Sequence, residues 1–203
     1  AKEKVVYVCQ QCGASFPRWM GKCPQCGEWN TLVETMTEGK KGPPSLPLVP
    51  TSEPVPVSAI PIEDMERIPV PMEELNRVLG GGIVPGSVVL IGGDPGIGKS
   101  TLLLQLAAMM ARQQEKPVLY ASGEESVRQI KMRADRLGIS EDNLYILAET
   151  SLEQIMAHIE RLDPSMAVVD SIQSIYSESF ESAAGSIVQV RECASYLLRL
   201  AKS

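Results

Sequence analysis

No apolar run in this 203-residue sequence approaches the roughly 20 residues that a membrane-spanning helix needs. The first residues, Ala1 to Val8, are too short and too polar a stretch for a secretory signal, so the expected location is the cytoplasm, without a membrane partner. Basic residues are in the minority, 19 Lys and Arg against 25 Asp and Glu. A net charge of −6 argues against a protein coated in basic surface, although a local stripe or an oligomer's inner channel can still be basic. Aromatics are sparse and unevenly spread, with none between Trp29 and Tyr120. The single histidine, His158, lies off the apolar stripe of its helix and reads as a solvated surface residue, and no internal repeat is present.

Cysteine is also scarce, but four of the five lie within the first 26 residues. Cys9-x2-Cys12 and Cys23-x2-Cys26 are separated by ten residues, and two such knuckles supply four thiolates for a tetrahedral Zn²⁺. Four protein ligands leave no open position, so the zinc is expected to be structural; the rival reading is a redox dithiol pair. Phe16, Trp19 and Trp29 could stack on bases beside Arg18 and Lys22, but a module this small needs a core, and the aromatics are expected to form it. Cys193, beside Ala194 on the last helix, reads as a small packing residue.

Composition divides the chain into a four-cysteine finger at 1–34, a Pro-rich linker at 35–66 and an α/β domain at 67–203. In the last region, Val88 to Ile91, Val118 to Ala121, Leu144 to Leu147 and Met166 to Val169 are short apolar runs expected of strands. The first of them, bounded by Gly86 and Gly92, reads as fully buried. Helical spacing follows at Ser100 to Gln114, Val127 to Leu137, Leu152 to Leu162 and Ile187 to Ala201. Strands alternating with helices imply a mostly parallel sheet with helices on both faces.

Between the first strand and its helix lies Gly93-Asp94-Pro95-Gly96-Ile97-Gly98-Lys99-Ser100, a complete G-x-x-x-x-G-K-[ST] phosphate-binding loop (P-loop) in the required context. Its glycines let backbone amides wrap phosphates, and the helix beginning near Lys99 adds the positive end of its dipole. ATP with Mg²⁺ is the expected ligand. Lys99 would reach the β- and γ-phosphates, Ser100 would supply a hydroxyl to Mg²⁺, and Thr101 would lie nearest the α-phosphate. The alternative is a Gly-rich turn that holds no nucleotide. Asp170, closing the fourth apolar run, stands where a Walker-B carboxylate would hold the Mg²⁺; otherwise it caps the next turn. Glu124 and Glu125 follow the second strand, on the side where parallel strands face the ligand crevice. One of them could position the attacking water, and either could simply complement a helix dipole; sequence does not separate the two.

The finger, the linker and the segment from Leu79-Gly80-Gly81-Gly82 through the P-loop to Gln105 together resemble the bacterial RadA/Sms family. So do Phe16-Pro17-Arg18-Trp19, Ser122-Gly123-Glu124-Glu125-Ser126, Asp170-Ser171-Ile172-Gln173-Ser174 and Gly185 to Cys193. The resemblance implies a RecA-like ATPase core and a homo-hexameric ring around DNA, acting as a motor in recombinational repair and branch migration. It also implies a Lys-Asn-Arg-Phe-Gly motif, further strands and a Lon-like domain that do not occur in these residues, so the sequence is expected to be a fragment. A KaiC-like signalling ATPase shares the glycine-rich approach and the paired glutamates, and a non-hydrolysing nucleotide- and zinc-binding module is the non-enzymatic alternative.

Overall fold

The computed structural model describes residues 4–37, 55–59, 67–180 and 182–202. The chain divides into two units, residues 1–66 and 67–203.

Two short antiparallel pairings build the first unit. Strand β1 (Lys4–Cys9) lies between β2 (Ser15–Phe16) and β3 (Leu32–Thr37), with Tyr7 opposite Phe16 and Cys9 opposite Leu32. Each cysteine knuckle closes in the same way. The Gly13 amide donates to the Cys9 carbonyl, the Gly27 amide donates to that of Cys23, and both bonds are 2.8 Å long. Both glycines have left-handed backbone, φ 74° and 78°, which a side chain would resist. Cys9, Cys23 and Leu32 form the buried centre, with Tyr7, Cys12, Phe16 and Met20 packed against it. The expectation of a tryptophan core fails: Trp19 and Trp29 remain 55% and 68% exposed. The sulfur cluster and the strand residues fill the interior without them. Strand β3 runs to Thr37, past the expected end of the finger. Of the Pro-rich segment beyond it, residues 55–59 are described, with a 3₁₀ turn at Val57–Ala59; the rest of the expected linker lies outside the described residues.

In the second unit, helix α1 (Glu73–Val78) is followed by α2 (Lys99–Gln113), β4 (Val118–Ser122), α3 (Val127–Arg136), β5 (Leu144–Ala148), α4 (Leu152–Leu162), β6 (Met166–Asp170) and α5 (Ile187–Ala201). The sheet is parallel, in the order β5-β4-β6, with Tyr120 opposite both Ile146 and Val168. Side chains alternate between its two faces. Val118, Tyr120, Ile146 and Val168 pack with Leu104, Ala107 and Met110 of α2 and Ile130 of α3. Ala121, Leu147 and Val169 pack with Leu152 and Ile155 of α4 and Cys193 of α5. Two helices therefore cover each face, as the α/β alternation requires. Ser126 and Gln129 form a reciprocal capping box that starts α3 directly after the glutamate pair. On that helix the buried side is Ile130 and Ala134, and Val127 and Met132 face outward.

One strand expectation is corrected. Val88 to Ile91 belongs to no strand, and Leu90 is 83% exposed, beside half-exposed Val88 and Val89. Burial of such a run needs a paired strand on each side, and among the described residues it has neither. The sheet ends at β6, whose outer edge is likewise unpaired there.

Candidate functional site

The P-loop enters α2 through Gly98, the residue that precedes the helix. Lys99 bends back over the loop, its ammonium donating to the carbonyls of Gly93 and Asp94 at 2.9 Å each. Two of its three donors are thereby occupied, and the third is available to a phosphate oxygen. Asp94, Pro95, Gly96 and Ile97 are exposed, and Ser100 and Thr101 are half-buried on the first turn of the helix.

Asp170 closes β6, and its Oδ2 accepts the hydroxyl of Tyr120 from the neighbouring strand at 2.5 Å. The same hydroxyl lies 3.4 Å from the Ser100 carbonyl, so Tyr120 joins both strands to the start of α2. Burial first, and then the Asp170 carboxylate, push the Tyr120 hydroxyl far above its ordinary range, which keeps it a donor.

Next to this, β4 ends on Ser122, whose buried hydroxyl accepts the amides of Glu124 and Glu125 at 3.3 and 3.1 Å. That turn separates the two glutamates. Glu124 is exposed, and its Oε1 receives the Ser171 hydroxyl at 2.5 Å. Glu125 is half-buried and paired with Arg133 of α3. The Gly123 amide donates to the Asp170 carbonyl at 3.1 Å, and a Cβ on Gly123 would stand only 2.4 Å from Ser174 Oγ. The ends of β4 and β6 are thus locked together around Glu124. A cleft of about 310 Å³ opens beside them, lined by Ser122 to Ser126 and by Ala148, Glu149 and Thr150 at the end of β5.

The structure brings Ser100, Asp170 and Glu124 to one end of the sheet. Among the described residues, no hydrogen bond or ion pair joins the P-loop to Glu124 or Glu125. Sequence reasoning missed Tyr120, Ser171 and Arg133. Tyr120 alone left a signal, as a polar tip inside an otherwise apolar run that would need a buried partner.

Behind β6, Gln189 of α5 is fully buried and holds the loop that returns from the site. Its amide nitrogen donates to the carbonyls of Ser177, Phe180 and Ser182, and its oxygen accepts the Ser177 amide.

In the finger, the four Sγ atoms of Cys9, Cys12, Cys23 and Cys26 lie within 4.8 Å of one another. The Cys9–Cys26 and Cys12–Cys23 separations are 3.6 and 3.7 Å. Four sulfurs at about 2.3 Å around one tetrahedral Zn²⁺ stand about 3.8 Å apart, so the residues fit the ion. Burial opposes ionisation of Cys9, yet hydrogen bonding with the Thr31 hydroxyl and the backbone at Cys12 and Gln11 brings its thiol down to about 6. A closed set of four thiolates is a structural zinc site rather than a catalytic one.

Two family models match the chain in separate stretches. Residues 7–34 match the rubredoxin metal binding domain family, and residues 51–202 match an AAA domain family. A DNA repair protein RadA from Halalkalibacterium halodurans is 52% identical over 207 residues, covering 100% of this chain and 45% of the relative. The Bacillus subtilis protein of the same name is 50% identical, with the same coverage. The chain thus spans under half the length of these relatives. In structure it is similar to the flagellar accessory protein FlaH from Methanocaldococcus jannaschii, with a TM-score of 0.51 over 68% of this chain and 66% of that one. At 20% identity that likeness concerns the RecA-like fold alone. No helix among the described residues is long and apolar enough to cross a membrane. The AAA domain match over residues 51–202 makes this chain a member of that family, and along its whole length it is about 50% identical to proteins named DNA repair protein RadA.

Proposed function

We propose that this chain supplies the ATP-binding part of a DNA-repair motor, in which hydrolysis is coupled to movement on single-stranded or branched DNA within a homo-hexamer. Branch migration is the process such a motor would drive. The observation that carries the reading is the meeting of Glu124 with Ser171, next to Asp170, at the carboxyl ends of adjacent parallel strands. A crevice there is where open α/β sheets bind ligands.

In this reading Gly93 to Gly98 wrap the phosphates with backbone amides, Lys99 offers its free donor to the β- and γ-phosphates, and Thr101 lies by the α-phosphate. Ser100 and Asp170 hold Mg²⁺, which would neutralise charge on the transferred phosphoryl group. Glu124 orients the attacking water, because its carboxylate is exposed and, among the described residues, held only by the Ser171 hydroxyl. Glu125 is committed to Arg133, and its role is to fix the turn. The experiment is steady-state phosphate release by the protein extended to the length of its relatives. Glu124→Gln is expected to lower kcat by about 10²–10⁴-fold while ATP still binds, and Glu125→Gln to cost far less. The reverse order would assign the water to Glu125.

A further inference from the structure

Trp19 and Trp29 are left outside a finger whose interior is filled by sulfur, Leu32, Tyr7, Phe16 and Met20. Both reach the same point. A Cβ on Gly21 would lie 3.8 Å from Trp19 Cη2 and 3.8 Å from Trp29 Cζ3. Those two ring edges are therefore at most twice that distance apart. The two tryptophan edges thus meet over Gly21, and a flat ring laid against the pair would contact both. Gly21 is the floor of this slot, and any side chain there would enter it. The surrounding backbone is fixed: Lys22 bridges Trp29 in antiparallel fashion, and the Asn30 amide donates to the Gly21 carbonyl at 2.8 Å.

Positive charge sits at the rim. Lys22 Nζ stands 5.5 Å from the centre of the Trp29 ring, and exposed Arg18 adjoins Trp19 in sequence. Arg18, Lys22, Gln25, Glu28 and Asn30 are exposed in the same stretch as the pair, one carboxylate against two cations, beside exposed Pro17 and Pro24. Two cations beside two exposed rings favour an anionic partner with flat faces over a purely apolar one. Stacking platforms flanked by cations suit unpaired bases, whose flat faces are apolar and whose phosphates are anionic.

We propose that the Trp19–Gly21–Trp29 slot receives a base of single-stranded nucleic acid, with Lys22 and Arg18 facing its phosphates. The proposal does not depend on the ATPase reading, since base stacking in the finger and ATP turnover are measured separately.

The chain's two tryptophans are both in the slot, so tryptophan emission reports on it directly. The zinc-loaded 203-residue chain is titrated with a short oligodeoxythymidylate and with a blunt duplex. Quenching is expected with the single strand and not with the duplex, whose bases are already stacked. Trp19→Ala and Trp29→Ala should each weaken binding by about 5- to 150-fold, the remaining tryptophan serving as reporter. Gly21→Leu fills the slot while keeping both tryptophans, and it should abolish the quenching. Zinc content measured in every variant separates loss of the slot from loss of the finger. Emission unaffected by the single strand, equal quenching by the duplex, or wild-type quenching in zinc-loaded Gly21→Leu would overturn the proposal and leave the pair to a protein partner.

Discussion

Tyr120 donates its buried hydroxyl to Asp170 across the β4–β6 pair, at 2.5 Å. The bond links the strand that leads to the glutamate pair with the strand that ends on the candidate Mg²⁺ ligand. Removing the hydroxyl leaves the carboxylate without that donor while the ring still fills its space. Tyr120→Phe is therefore expected to lower stability by about 1.5–3 kcal/mol, the usual worth of a bond to a charged group. It should also raise the Mg²⁺ concentration needed for half-maximal ATP binding. Urea unfolding and a Mg²⁺ titration check the two effects, and an unchanged midpoint together with an unchanged Mg²⁺ dependence would count against this role.

Gly123 gives a sharper steric test. Ser174 Oγ and Cβ would stand 2.4 and 2.9 Å from a new methyl group, so Gly123→Ala must push the two strand ends apart. An overpacking cost of about 1–3 kcal/mol is expected, with a fall in kcat because Glu124 moves with its neighbour. Adding Ser174→Gly removes both offending atoms and should recover much of the loss. Recovery is measured as a coupling energy in a double-mutant cycle, and strict additivity would show that the contact is not what matters.

Cys12→Ser removes one of four thiolates from the closed centre. Bound zinc, measured by metal analysis, should fall well below one per chain, and residues 4–37 should lose protection against hydrogen exchange, because such sites fold through their metal. ATP affinity should stay within about threefold of wild type, since Cys12 and the P-loop belong to different compact units. Zinc below about half an equivalent in freshly prepared wild-type protein would remove the basis for the assignment.

Turnover by the 203-residue chain is expected to be slow and unresponsive to DNA, although ATP binds. The relatives are more than twice as long, and a cation brought to the γ-phosphate from elsewhere is worth about 10³–10⁵ in rate in other P-loop enzymes. Phosphate release by the short and the extended protein, each with and without single-stranded DNA, compares them. Brisk DNA-stimulated hydrolysis by the short chain would refute this.

What the sequence disclosed was local. The P-loop and the cysteine knuckles are each written within a few consecutive residues, so spacing alone carried their chemistry. Asp170 was legible as the end of an apolar run. Tyr120 and Asp170 are 50 positions apart and Gly123 and Ser174 are 51 apart, and no spacing rule joins residues that meet only when β4 and β6 pair. The same limit explains the two reversals. An apolar run such as Val88 to Ile91 states that it is better buried, but not which strand would bury it. Two tryptophans in a small module suggest a core until the sulfurs and strand residues are seen to fill it.

Val88, Val89 and Leu90 also bear on how the chain behaves in concentrated solution. Among the described residues this apolar backbone has no neighbouring strand and β6 has an open edge, and each offers a template for another molecule to extend. Self-association should grow with concentration and with ionic strength, the opposite of the salt response of contacts between charges. Leu90→Lys would then keep the 203-residue chain monodisperse, and light scattering across a salt series would register the difference as a change in colloidal stability rather than in folding.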